Sequence, residues 1–227
     1  MNLDLRALRL FLCLAGLALV GCETVRVVDI DVARFATQPA PPEAAAAPLP
    51  GRVALVMPPA VLEARFTGDR LRGATPTRLQ WPAGRLVAMA LLQVLERHFS
   101  AGVQRVDAAP ESGFAAVLRV TEVALKDDES LRYIIPVPIP GILFITDSDT
   151  SLQLSFELQM LDERGRPWWT RRYDSGRVLW QRPPRARELP ADGLVRLAHN
   201  TVLQLAEQAG RDVRAWLDGE RMKPRQL

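Results

Sequence analysis

Apolar and polar positions alternate most cleanly over Ser151–Leu161. Leu152, Leu154, Phe156, Leu158 and Met160 share one face there, and Ser151, Gln153, Ser155, Glu157 and Gln159 share the other. A period of two is that of a half-buried strand. Asp162–Arg166 reads as a turn, Trp168–Tyr173 as the returning strand of a hairpin, and Gly176–Trp180 as its extension past a bend. Ala115–Leu125 alternates as a further strand, Val103–Val106 as a short one, and Arg52–Met57 as one stopped by Pro58-Pro59. Ala60–Gln80 follows neither period. At 100° per residue, Ala83–Phe99 is an amphipathic helix opened by Trp81-Pro82. Arg85, Gln93, Glu96, Arg97 and Ser100 lie on its wet face, while Leu86, Val87, Leu91, Val94 and Leu95 fill the rest. A last helix starts with Asp192 as its cap and runs to about Leu217. Its apolar stripe is Leu194, Ala198, Val202, Leu205, Ala209, Val213 and Trp216. Strand, helix, a run of strands joined late as hairpins, and helix predict an α+β fold: a mostly antiparallel sheet with two main helices packed on one face.

Tyr133–Ile145 (YIIPVPIPGILFI) breaks the pattern. It is wholly apolar, yet its alternating prolines forbid a regular helix and remove ladder donors. It is also too short to span a bilayer. Asp127-Asp128-Glu129 precede it and Asp147 and Asp149 follow, which reads as acidic turns whose ends are in water. Two readings stand: a buried crossover or edge-strand pair, or an exposed loop that docks a partner or dips into a membrane. Tyr133, Ile134, Ile135, Val137, Ile139, Ile142 and Phe144 are the candidate contact residues.

The first residues read as an address. Arg6 and Arg9 precede an unbroken apolar run, Leu10–Val20, far shorter than a membrane-spanning helix. Leu19-Val20-Gly21-Cys22 resembles the lipobox of bacterial lipoproteins. That resemblance implies cleavage before Cys22, a lipid on its thiol and acylation of the new amino group. Several acyl chains anchor stably where one does not. Glu23 follows Cys22 in place of aspartate, and by resemblance to enteric sorting rules this implies the outer membrane, on its periplasmic face, over the inner one. The chain then divides into a signal peptide (1–21), a lipidated Pro/Ala-rich tether (22–51), a periplasmic α+β domain (52–217) and a basic tail (218–227). Thr37–Gly51 (TQPAPPEAAAAPLPG) carries too little apolar variety to build a core.

Composition adds limits. In 227 residues, 48% hydrophobic and 24% charged, there is enough core for an ordinary domain without staples. The two cysteines are Cys13, lost with the signal, and Cys22, consumed by lipid, so none remains for a disulfide, a nucleophile or a metal. The net charge of +3 is interspersed and carries no basic run suited to nucleic acid.

The order of lipobox, tether, early strand, helix (WPAGRLVAMALLQVLERHF), hairpin (SLQLSFELQMLDERGRPWWTRRY) and last helix resembles small Gram-negative envelope lipoproteins, including the auxiliary lipoproteins of ABC-type transport. The resemblance implies a non-enzymatic accessory of an envelope transport or assembly complex with a protein partner. The alternative is a module that binds lipid, lipopolysaccharide or glycan directly, and a periplasmic hydrolase ranks last. No G-x-S-x-G, H-E-x-x-H or Gly-rich phosphate loop occurs, so no catalytic or metal residue and no cofactor is expected. His98 reads as a core histidine and His199 as a boundary one. Trp168, Trp169, Tyr173 and Trp180 lie among arginines, and strict alternation would place Trp168 and Trp169 on opposite faces. Trp168 and Arg171 are the binding candidates there, with anionic lipid as the ligand the charge would suit.

Overall fold

The computed structural model describes residues 26–31, 47–70, 77–110, 112–136, 143–180 and 190–222. Its elements in chain order are β1 (Arg26–Asp29), β2 (Val53–Val56), a single-turn helix α1 (Pro59–Leu62), β3 (Phe66–Arg70), β4 (Thr77–Trp81), α2 (Ala83–His98), β5 (Val103–Val106), β6 (Ala116–Pro136), β7 (Leu143–Leu161), β8 (Pro167–Asp174), β9 (Val178–Trp180) and α3 (Pro190–Met222).

The alternating strand behaves as its pattern demands. Leu152, Leu154, Phe156, Leu158 and Met160 are all buried, facing a core that α2 and α3 close from the same side. The fold is α+β as expected, with both main helices on one face. The sheet, however, is mixed. In the order β5-β2-β6-β7-β8, β2 pairs in parallel with both β5 and β6, while β6–β7 and β7–β8 are antiparallel and β9 pairs with β7. The reason is connectivity: a helical crossover returns β5 in the direction of β2, whereas the Asp162–Arg166 turn reverses β7 into β8.

Ala60–Gln80 resolves into α1, β3 and β4. β3 and β4 form a second, three-stranded sheet with β1 in the order β1-β4-β3, β1 joining in parallel. β1 belongs to the stretch expected as a tether. So do residues 47–51, where Leu49 is buried, forms a parallel bridge with Phe99 and exchanges backbone hydrogen bonds with His98 and Ser100. The Ala47 carbonyl accepts from Arg214. Two pieces of the expected tether are therefore docked on the domain, and residues 32–46 between them lie outside the described residues.

The second sheet stands at one end of the first. β2 pairs Val53–Val56 with Ala116–Arg119 in parallel, so its C-terminal end faces the end of β6 that becomes the β6–β7 hairpin. α1 follows there, and Gly84 at the start of α2 packs on the carbonyls of Val61 and Leu62. β3 lies alongside β6 with Gly68 against the carboxyl of Asp127, where any side chain would collide. The Trp81 indole, fully buried, donates to Asp127 Oδ2 at 2.7 Å.

α2 and α3 pack side by side and run in the same direction, away from that end. Gly210 admits the His98 ring and Val94, and Arg97 ion-pairs with Glu207. α3 begins with Gly193 against Trp180 and ends with Trp216 against Trp168. It starts at Pro190, two residues before the expected cap Asp192, whose side chain lies outside the described residues; proline suits a first helical position. Among the described residues, no helix is long and apolar enough to cross a membrane.

Candidate functional site

The apolar segment sits on a hairpin much longer than its pattern implied. β6 and β7 stay paired from Val117↔Leu161 out to Pro136↔Leu143. Among the described residues, β2 leaves β6 after Arg119, and β9 leaves β7 at Thr150. Beyond Glu129↔Thr150 the two strands pair with each other alone among the described strands, through Ser130↔Asp149, Leu131↔Ser148, Tyr133↔Asp147, Ile134↔Ile145, Ile135↔Phe144 and Pro136↔Leu143. At ~3.3 Å per residue this two-stranded ribbon continues for about 20 Å. Register shifts at Leu131/Tyr133 and Tyr133/Ile134 sharpen its twist.

Of the candidates, Tyr133, Ile134 and Ile135 are on β6 and Phe144 on β7, brought together by the register. Val137, Ile139 and Ile142 lie outside the described residues, as does Cys22. The acidic stretches expected to be turns are inside the strands. Asp127, Asp128 and Glu129 pair with Leu152, Ser151 and Thr150, and Asp147 and Asp149 with Tyr133 and Ser130. Asp127 is itself buried, because its partner Trp81 comes from the second sheet.

Trp168 and Arg171 occupy the other end of the main sheet, so they form no common site with the hairpin. Met160 pairs with Trp169 and Leu161 with Pro167, which leaves Trp168 as the extra residue of a bulge. Strict alternation fails at that point. Trp169 packs on the core, and Trp168, 57% exposed, meets Trp216 of α3 edge-on at 4.7 Å between ring centres. Arg171 is engaged within the fold: its guanidinium pairs with Asp212 at 3.0 Å and lies over the Tyr173 ring at 5.8 Å. The Tyr173 hydroxyl donates to the same Asp212 carboxylate at 2.9 Å. Burial, then that hydrogen bond, raises the phenol's pKa far above its ordinary value.

The exposed tryptophan borders a cleft that the sequence pattern does not reveal. About 820 Å³ in volume, it lies between the β5–β6 connection, the β7–β8 turn and the end of α3, with Phe114, Leu161, Trp168 and Leu217 as apolar lining and Arg164 and Arg166 as basic lining. The turn is rigid. Asp162 Oδ1 accepts from the backbone N–H of Arg164 and Arg166, and Oδ2 accepts from the Arg166 side chain. Those bonds, the Arg166 backbone bond first, hold its carboxyl below the usual range. A single bulge and three distant segments make this cleft, so no local motif announces it. His98 packs half-buried against Gly210, and His199 is buried on α3, its pKa lowered by burial.

No family model and no curated protein matches the chain. Solved structures similar to it include a DUF330-family protein from Xanthomonas campestris, with a TM-score of 0.46 and 12% identity over 87% of this chain and 97% of that one. Another is a minor lipoprotein from Acinetobacter baumannii, with a TM-score of 0.41 and 16% identity over 72% and 92%. A third is the rare lipoprotein B from Shewanella oneidensis, with a TM-score of 0.39 and 14% identity over 75% and 98%.

Proposed function

We propose that the chain is a lipid-anchored envelope lipoprotein that acts without catalysis, as an accessory component of a cell-envelope transport or assembly complex. The observation that carries this reading is the β6–β7 hairpin. It continues past the last neighbouring strand among the described residues and ends in residues that are apolar on both strands. Such an element contributes contact area. The lipobox-like Leu19-Val20-Gly21-Cys22 supplies the anchor, and Glu23 supports the periplasmic face of the outer membrane.

A second reading, direct binding of lipid, lipopolysaccharide or glycan, is favoured by the cleft beside Trp168, where an exposed indole and two arginines meet. Membrane fractionation and a pull-down from detergent-solubilised membranes, with wild type beside Cys22→Ser, separate the readings. The accessory role expects the wild type in the outer-membrane fraction with a stoichiometric protein partner, and Cys22→Ser released from it. Recovery of lipid or lipopolysaccharide alone moves the cleft reading ahead. A Cys22→Ser chain that fractionates like wild type removes the anchor and the localisation with it.

A further inference from the structure

We infer that the cleft beside Trp168 is a binding site for a neutral sugar, whose C–H face lies on the Trp168 indole while its hydroxyls meet the β7–β8 turn. The inference goes beyond the accessory role. It rests on the second reading and narrows that reading's three ligand classes to one.

The apolar surface that the cleft offers is a ring, not a channel. Met160, Leu161 and Leu217 line it but are buried, their area already used by the core. Phe114 is half-buried, and Trp168 is the large hydrophobic of the lining that is exposed, at 57%. An acyl chain gains affinity from each methylene it buries and needs a continuous apolar wall. A single exposed indole does not supply one. It does supply a flat, electron-rich face, which attracts the slightly positive C–H groups on the face of a pyranose.

The charges point away from an anion. Two carboxylates, Asp162 and Glu163, stand in the lining against two guanidiniums, Arg164 and Arg166. Arg166 is already paired with Asp162 at 3.1 Å. Phosphate recognition draws on guanidinium groups left uncompensated, and this balance leaves little surplus. A sugar hydroxyl both donates and accepts, so it is matched by donors and acceptors set side by side. At the cleft the Arg164 guanidinium donates, the Glu163 carboxylate accepts and the Ser112 hydroxyl does either, and all three residues are exposed.

Both halves of the site are held in place without a ligand. The bulge after Met160 turns Trp168 outward, and Trp216 braces its ring edge-on at 4.7 Å. Glu163 and Arg164 ride on a turn closed by the Asp162 N–H to the Arg166 carbonyl at 2.8 Å and by the Asp162 side-chain bonds. Little ordering is then left for binding to bring about. The volume of about 820 Å³ falls within the range of roughly 300–1,000 Å³ common for small-ligand sites.

The test uses the full mature chain, purified in a detergent without a sugar headgroup. Isothermal titration calorimetry is run with maltotriose and with chitotriose, both neutral, and with inorganic phosphate and palmitate. A saturable signal with at least one sugar at millimolar concentration is expected. Trp168→Ala should weaken it about tenfold or more, the scale of one ring stacked on an aromatic side chain. Trp168→Phe, which keeps an aromatic face, should retain most of the affinity. Arg164→Ala, which leaves the Trp168–Trp216 contact alone, should weaken it several-fold and serves if Trp168→Ala fails to fold. No saturable signal from either sugar overturns the inference, as does sugar binding that neither Trp168→Ala nor Arg164→Ala weakens. Phosphate or palmitate binding that Trp168→Ala abolishes, with none of the sugars bound, sinks the inference and leaves the second reading standing. A chain that binds no probe but is acylated at Cys22 and recovers a protein partner sinks both and leaves the accessory role intact.

Discussion

Asp212 is where α3 holds the last full strand. Its carboxylate accepts from the Tyr173 hydroxyl, 2% exposed as a residue, and pairs with Arg171. The two partners differ in worth. An exposed ion pair contributes about 0–1 kcal/mol, whereas a buried hydroxyl left without an acceptor costs about 1–3 kcal/mol. Asp212→Ala is therefore expected to lose more stability in urea unfolding than Arg171→Ala, and Tyr173→Phe should remove most of that loss when combined with it. Equal losses for Asp212→Ala and Arg171→Ala would mean the phenol is satisfied elsewhere. His199 acts on a different axis. Burial lowers its pKa below 6.5, so the unfolded chain binds more protons as pH falls through 6.5. Its contribution is fully present above pH 6.5 and is lost on acidification toward the folded value. Asp162 and Asp174 are lowered from 3.8, the latter by the Gln153 and Gly176 hydrogen bonds, so their contribution is lost only as pH falls below 3.8. A melting temperature that declines between pH 6.5 and 5 in wild type but much less in His199→Gln is the expected signature.

At the scale of elements, patterns were legible where one face is wet. Ser151–Leu161 alternates because its polar face carries Gln153, Glu157 and Gln159 into a hydrogen-bonded layer with Asp174, Thr121 and Arg119. The α3 stripe from Leu194 to Val213 is buried as its period requires. β3 and β4 escaped the pattern because they are five residues each and pack at the end of the main sheet, where Trp81 and Asp127 find each other across 46 residues. The same distance hides why an acidic run belongs in a strand. Charges from Lys126 to Arg132 suppress any hydrophobic period there, yet backbone pairing needs none, so the hairpin continues through them. Trp168 and its cleft stayed hidden because a bulge is one residue of register, invisible without the partner strand. Beyond Glu129↔Thr150 the strands β6 and β7 pair with each other alone among the described strands. Replacing residues 131–148 by Asn-Gly is accordingly expected to leave the thermal unfolding midpoint within a few degrees of wild type while abolishing partner or lipid binding. A collapse of the midpoint would place the hairpin in the core.

The molecule as a whole has two unlike ends. One gathers β1, the small sheet, the hairpin and the first residues of α2 and α3; the other gathers the β7–β8 turn, Trp168 and the last turns of α3. The helices are parallel neighbours, not an antiparallel pair, and their macrodipoles add instead of cancelling. Each places about half a positive elementary charge at its N-terminus and half a negative one at its C-terminus. The positive pole falls at the end where the acidic residues of the hairpin strands are concentrated, and the negative pole at the end where Arg164 and Arg166 stand. Backbone and side chains thus oppose each other along the long axis of the sheet. At each end the poles of the two helices therefore meet side chains of the opposite sign, which tempers the local field there.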